Sequence, residues 1–212
     1  TTDGKADGPN TFKVSCDASG HFQGVAMCQA VKCGSFEDVK HGQSPGLEYR
    51  FPDTLSVVCD AGHSIDADPK GESTFLVKCG ADGKYQDVKE CQPVTCGPPK
   101  PTSLCTTTSD AKVFNDIAEY TCKAGYSTNG KMNGPVVFSR VCEASGSFGQ
   151  ASPSDCADID FCEDSPCTAN GVCTDLGAGV PFPGYNCTCH EGFEINPNAD
   201  GSSKCAADVT DA

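Results

Sequence analysis

The chain has 212 residues, with 17 cysteines, 23 glycines, 14 prolines, no tryptophan and a formal net charge of −14. Cysteine at this density marks a disulfide scaffold kept in an oxidising compartment, which excludes a reducing cytosol and places the protein in the secretory pathway or outside the cell. The acidic balance without a Lys/Arg cluster excludes nucleic acid or heparin as an obvious partner, and no run approaches the roughly 18 apolar residues that span a bilayer.

The first ten residues, "TTDGKADGPN", are polar and unlike a signal peptide. A mature or excised piece is expected, with any signal peptide or membrane anchor encoded outside these residues. "FKVSCDASGHFQ" (12–23) then runs through an alternating stretch, Cys16, a small polar turn and a Gly-x-aromatic ending at Phe22, with Cys28 following. The same arrangement returns in "FLVKCGADGKYQ" (75–86) and "FSRVCEASGSFG" (138–149), with Tyr85 and Phe148 as aromatics and Cys91 and Cys156 as closing cysteines. "CQAVKCG" (28–34) returns as "CQPVTCG" (91–97), while "VVCDAGHS" (57–64) and "EYTCKAGYS" (119–127) share Cys-x-Ala-Gly before His63 or Tyr126. A repeat follows: one unit uses Cys33, Cys59, Cys79 and Cys91, the next Cys96, Cys122, Cys142 and Cys156. Four cysteines admit three pairings, and the residues alone leave the choice open.

The runs "LSVVC", "STFLVKC", "AEYTC" and "VVFSRVC" read as short strands between Gly/Pro/Asp turns, and no convincing helical period occurs. The expected fold class is small all-β disulfide-rich modules. The four-residue linkers "QAVK" and "QPVT" are too short to swivel freely, which predicts an extended beads-on-a-string array.

The unit resembles the sushi module, also called the complement control protein module or short consensus repeat. The resemblance implies sushi modules at 33–91 and 96–156 and the C-terminal part of another at 1–28. It also implies first-to-third and second-to-fourth bridges: Cys33–Cys79 with Cys59–Cys91, and Cys96–Cys142 with Cys122–Cys156. The family's Gly-Tyr after the second cysteine is matched by Gly125-Tyr126 and, less closely, Gly62-His63. Its tryptophan between the last two cysteines is replaced by Phe22, Tyr85 and Phe148. Cys16 and Cys28 occupy third and fourth positions, so their partners lie upstream or the two pair with each other.

After Cys156 the spacing changes to C-x4-C-x5-C-x13-C-x-C-x15-C, through Cys162, Cys167, Cys173, Cys187, Cys189 and Cys205. Residues 158–205 resemble an EGF-like domain, followed by a tail at 206–212. The implied bridges are Cys162–Cys173, Cys167–Cys187 and Cys189–Cys205. "ADIDFC" (157–162) resembles the start of the calcium-binding members of that family. By family position Asp158 and Asp175 would give side-chain oxygens and Ile159 and Leu176 carbonyls to calcium, a hard cation that takes oxygen ligands. Bound calcium would stiffen the joint before this domain. Phe161 stands where the family has a ligating Glu or Gln, and "LGAGVPFPG" (176–184) is longer than the pattern. The alternative is that Asp158 and Asp160 simply solvate a module junction.

Cys105, in "PPKPTSLCTTTSD", falls outside the sushi pattern and is read as a loop residue. It is expected to form an intermolecular bridge, to pair with Cys16 or Cys28, or to stay a free buried thiol. Asn186-Cys187-Thr188 is the one glycosylation sequon. No HExxH or CxxC occurs, His21, His41, His63 and His190 are scattered, and Glu37-Asp38 and Glu163-Asp164 read as solvated loop charge. The protein is therefore not expected to be an enzyme. The expected function is extracellular recognition or adhesion, presenting sushi and EGF-like modules to a protein or glycan partner. The alternatives are a structural subunit of a filament or matrix built from copies of itself, and a complement-type regulator. Sushi followed by EGF without tryptophan resembles adhesive surface proteins of protists such as apicomplexan parasites.

Overall fold

A computed structural model describes residues 1–150, 155–197 and 202–207. Residues 208–212 of the expected tail therefore lie outside the described residues, as do 151–154 and 198–201. The described residues form short strands in small sheets with no helix, tied by seven disulfides; the fold is all-β and disulfide-rich. Two compact units emerge: Thr1–Thr95 with Ala144–Gly146, and Cys96–Glu143 with Ser147–Ala212.

In the first unit the period-2 alternation of "TLSVVC" and "TFLVKC" does what a half-buried strand requires. Thr54–Cys59 buries Leu55, Val57 and Cys59, and Thr74–Cys79 buries Phe75, Val77 and Cys79. The strands pair antiparallel with Val57 opposite Phe75 and Leu55 opposite Val77, so one face of the sheet collects the apolar side chains. Gly42–Gln43 and Tyr85–Gln86 flank them in a four-stranded sheet. Phe36 and Cys91 complete the core. So few buried side chains stabilise a module of some sixty residues poorly, and the bridges Cys33–Cys79 and Cys59–Cys91 compensate by restricting the unfolded chain.

Tyr85 fills this core in two ways. Its ring meets Phe36 edge-on at 5.0 Å between centroids, and its hydroxyl donates to the Gly34 carbonyl at 2.6 Å. Burial pushes the Tyr85 phenol above its ordinary pKa. Tyr85→Phe keeps the ring and orphans the carbonyl, so it is expected to cost the module about 1–2 kcal/mol. Urea unfolding of the two proteins side by side checks this.

The partial repeat at 12–28 forms a hairpin, Ser15–Cys16 against Phe22–Gln23, around a turn held by the Asp17 carboxylate. That carboxylate accepts from the Ser19 hydroxyl, the Gln23 amide and the His21 N–H, and these donors hold it far below the usual carboxylate range. Adding 63 to each position gives Phe75 for Phe12, Val77 for Val14, Cys79 for Cys16, Tyr85 for Phe22 and Cys91 for Cys28. The later set is packed, with Phe75 5% and Val77 0% exposed, whereas Phe12 is 41%, Val14 45% and Phe22 71% exposed. The hairpin is there, but no counterpart of Thr54–Cys59 covers it among the described residues.

The second unit repeats the logic. Ile117–Cys122 buries Ala118, Tyr120 and Cys122 and pairs with Val137–Val141 on one side. Tyr120 and Phe138 stack at 5.0 Å, with the Arg140 guanidinium 5.1 Å over Tyr120. On the other side lies Cys105–Thr107, so Cys105 begins an edge strand instead of sitting in a loop. Bridges join Cys96 to Cys142 and Cys122 to Cys156. Immediately after Cys156, Ala157–Asp158 pairs with Tyr126–Ser127, which binds the departing chain back to the module. Two further hairpins follow, Gly171–Asp175 with Tyr185–Cys189 and Phe193–Pro197 with Ser203–Ala207. Ile159, Phe161, Cys167 and Tyr185 form their core. Three bridges close it: Cys162–Cys173, Cys167–Cys187 and Cys189–Cys205. Gly125 (φ 84°) marks a close approach, because a Cβ there would sit 2.7 Å from the Val180 carbonyl oxygen.

Candidate functional site

The second unit carries a cleft of about 360 Å³ between residues 129–134, residues 160–166 and the Phe182–Tyr185 region. Two tight turns build its walls. Asn129 accepts from the Lys131 N–H through its side-chain oxygen, and Gly134 N–H donates to the Lys131 carbonyl. On the opposite wall the Asp160 carboxylate accepts from the Cys162 N–H and Ser165 N–H donates to the Cys162 carbonyl. The floor is apolar, from Met132, Phe161 and Phe182, the two rings 6.4 Å apart.

The rim is charged and unequal. Lys131 reaches Glu163 at 2.6 Å, and that contact raises the Lys131 pKa. With Lys131 engaged, Asp160 and Asp164 leave the rim net negative. An exposed ion pair of this kind contributes little to stability, so its value lies in setting the local field. Nothing in the sequence alone assembles this cleft, since its walls lie some thirty residues apart. The available signal was Phe161 and Phe182, two aromatics set among acids and prolines in a segment otherwise poor in apolar side chains.

The residues considered for calcium lie beside the cleft. Asp158 stands opposite Tyr126, and one of its carboxylate oxygens, Oδ1, is buried without a hydrogen-bond partner. Ile159 is buried in the same cluster as Tyr185, and its N–H donates to the Gly125 carbonyl at 3.0 Å. Asp175 faces Tyr185 across the hairpin and accepts from the Gly177 N–H. Leu176 donates its N–H to the Gly184 carbonyl and leaves its side chain exposed. Phe161 offers no side-chain oxygen. Its ring is 6% exposed and lies against the Cα of Gly184, where a Cβ would collide with it. Among the described residues no three His, Cys, Asp or Glu side chains gather into a metal-holding group. The orphaned Asp158 oxygen fits a cation or a donor, whereas Phe161 removes one of the oxygens a calcium site would use.

The remaining candidates fall apart spatially. Cys16 and Cys28 are unpaired and exposed, whereas Cys105 is unpaired and fully buried. Of the alternatives for Cys105, the free buried thiol matches its position, because the side chain lies within the core of its sheet. Asn186 and Thr188 are exposed on one face of Tyr185–Cys189, and Cys187 between them is bridged. His41 and His63 stack at 4.2 Å, while His21 contacts Ser19 in the Asp17 turn.

Residues 96–156 match the Sushi repeat (SCR repeat) family. Over 196 residues, 88% of the chain, the sequence is 27% identical to the rat and 28% identical to the mouse "Sushi, von Willebrand factor type A, EGF and pentraxin domain-containing protein 1". The chain spans 5% of the length of those relatives. A stretch of 81 residues, 37% of the chain, is 30% identical to rat complement C1s subcomponent and spans 12% of it. A sushi repeat is thus present, in a disulfide-rich chain whose relatives include sushi-containing proteins.

Proposed function

We propose that the chain is a non-enzymatic extracellular recognition segment, with sushi modules at 33–91 and 96–156, part of another at 1–28, and an EGF-like domain at 158–205, and that the acidic cleft lined by the last two takes a partner protein. The carrying observation is the cleft's apolar floor under a net negative rim. Its complement is a loop that brings Arg or Lys beside an apolar side chain: the apolar group fills the floor, and the cation meets Asp160 and Asp164. Asp158, Asp175 and the carbonyls of Ile159 and Leu176 hold calcium in this reading, with water completing the shell. Asn186 is exposed for an N-glycan.

A second reading has its own observation. The exposed Phe12, Val14 and Phe22, with unpaired Cys16 and Cys28, form a half-module suited to completion by another chain, as in a filament or matrix subunit. Exposed apolar surface of this kind favours association.

Calorimetric titration with a short Arg-Leu peptide and its Glu-Leu counterpart tests the first reading, in calcium and after chelation. The cationic peptide is expected to bind more tightly, and Asp164→Lys to weaken it about tenfold, or about 1.4 kcal/mol. Equal binding of both peptides overturns the cleft reading. Sedimentation of the same samples addresses the second: a discrete monomer with or without reductant removes it, and an assembly that reductant dissolves supports it.

A further inference from the structure

Cys105 is the one buried thiol, and it shares a core with a disulfide. Cys105, Cys122 and Cys156 belong to a single cluster, at 0%, 8% and 5% exposure, and Cys122 is bridged to Cys156. Cys105 and Cys122 are direct partners in antiparallel register. Such pairs hold their Cα atoms about 4.5–5.5 Å apart with both side chains on one face. That separation lies inside the roughly 4.4–6.8 Å that a disulfide requires, so the strand register admits a Cys105–Cys122 bridge.

The surroundings hold Cys105 in this place. The Lys123 N–H donates to the Leu104 carbonyl at 3.0 Å, and its ammonium donates to the Ser103 carbonyl at 2.8 Å. Thr102 Oγ1 accepts from the N–H groups of Leu104 and Cys105, at 3.1 and 3.2 Å. The same oxygen lies 3.2 Å from the Cys105 sulfur, within hydrogen-bonding reach, which fixes the sulfur beside the Thr102 turn.

The geometry points to an internal thiol–disulfide exchange site, in which this module alternates between a Cys122–Cys156 and a Cys105–Cys122 bridge. The Cys105 thiol loses its proton and its sulfur attacks Cys122 Sγ. The Cys105–Cys122 S–S bond forms, the Cys122–Cys156 bond breaks, and the electron pair leaves with the Cys156 sulfur, which takes up a proton. One thiol and one disulfide exist before and after, so neither oxidant nor reductant is consumed. Cys156 immediately precedes Ala157–Asp158, the strand that ties the following residues to Tyr126–Ser127. Exchange therefore removes the covalent anchor of that joint while keeping the module's disulfide count.

The test uses the whole native chain. N-ethylmaleimide first blocks exposed Cys16 and Cys28. The protein then stands at a mildly alkaline pH of about 8.5 to allow exchange. It is quenched in acid, unfolded, alkylated with iodoacetamide and mapped by mass spectrometry without reduction. The expected result is carbamidomethyl-Cys156 together with a Cys105–Cys122 linked peptide, both rising with time and both lost in Cys105→Ser. Label confined to Cys105 at every time point overturns the proposal. Should Cys105→Ser not fold, the wild-type time course decides alone, because label on Cys156 with maleimide-blocked Cys16 and Cys28 has no source but Cys105.

Discussion

Replacing Cys59 and Cys91 together by alanine is expected to unfold the 33–91 module near body temperature while leaving the second unit folded. The bridge closes a loop with a sequence separation of 32 residues, and losing it returns about 4 kcal/mol of chain freedom to the unfolded state. A domain of some sixty residues has only about 3–9 kcal/mol in all. Both sulfurs are buried in the same cluster as Val57 and Phe75, so the change also removes packed atoms. Hydrogen exchange reads the result residue by residue. Amides of Thr54–Cys59 and Thr74–Cys79 should exchange rapidly, and those of Ile117–Cys122 should stay protected. Retained protection of Leu55 and Val77 would mean that the small apolar core suffices without its bridge. The pair is changed together because a single substitution leaves a reactive partner thiol.

Phe161→Ala is expected to cost about 3–5 kcal/mol, the range for emptying a buried ring site. The ring sits in a core of only four buried residues and presses on the Gly184 backbone, so its loss leaves a void that few neighbours can fill. The same ring forms the floor of the cleft, so the variant should also bind the Arg-Leu peptide more weakly. Phe161→Leu separates the two effects: it keeps most of the apolar volume and should recover most of the stability. Thermal unfolding alongside the calorimetric titration reads both. An unchanged midpoint in Phe161→Ala would show that the three bridges, and not the core, hold the segment.

The all-β class was legible because alternation in "TLSVVC" and "TFLVKC" leaves a strand one apolar face, whatever surrounds it. The fate of the repeat's aromatic was not. Phe22, Tyr85 and Phe148 share a motif, yet Phe22 is 71% exposed while Tyr85 and Phe148 pack on their cores. Burial there depends on a strand some twenty to thirty positions upstream, which the motif does not encode. Cys105 was misread for a different reason. "CTTTSD" looks like loop because hydroxyls satisfy turns, but threonine's branched Cβ suits an edge strand equally well. Pairing with Ile117–Cys122 decides between them, and only the fold brings that partner. The cleft escaped notice on the same principle, because its walls come from segments with no common pattern. Phe161 was flagged in sequence only for the oxygen it lacks, not for the core it supplies.

Among the described residues there are three apolar cores, and they share no residue. Heredity can therefore treat this molecule as a sentence of separable words. A harmful substitution in one core is not amplified through the others. Duplication by a fixed length of 63 residues, as between Phe12 and Phe75, adds a unit without requiring compensating changes elsewhere. Recombination that cuts between a closing cysteine and the next opening one trades whole packed cores, never halves of one.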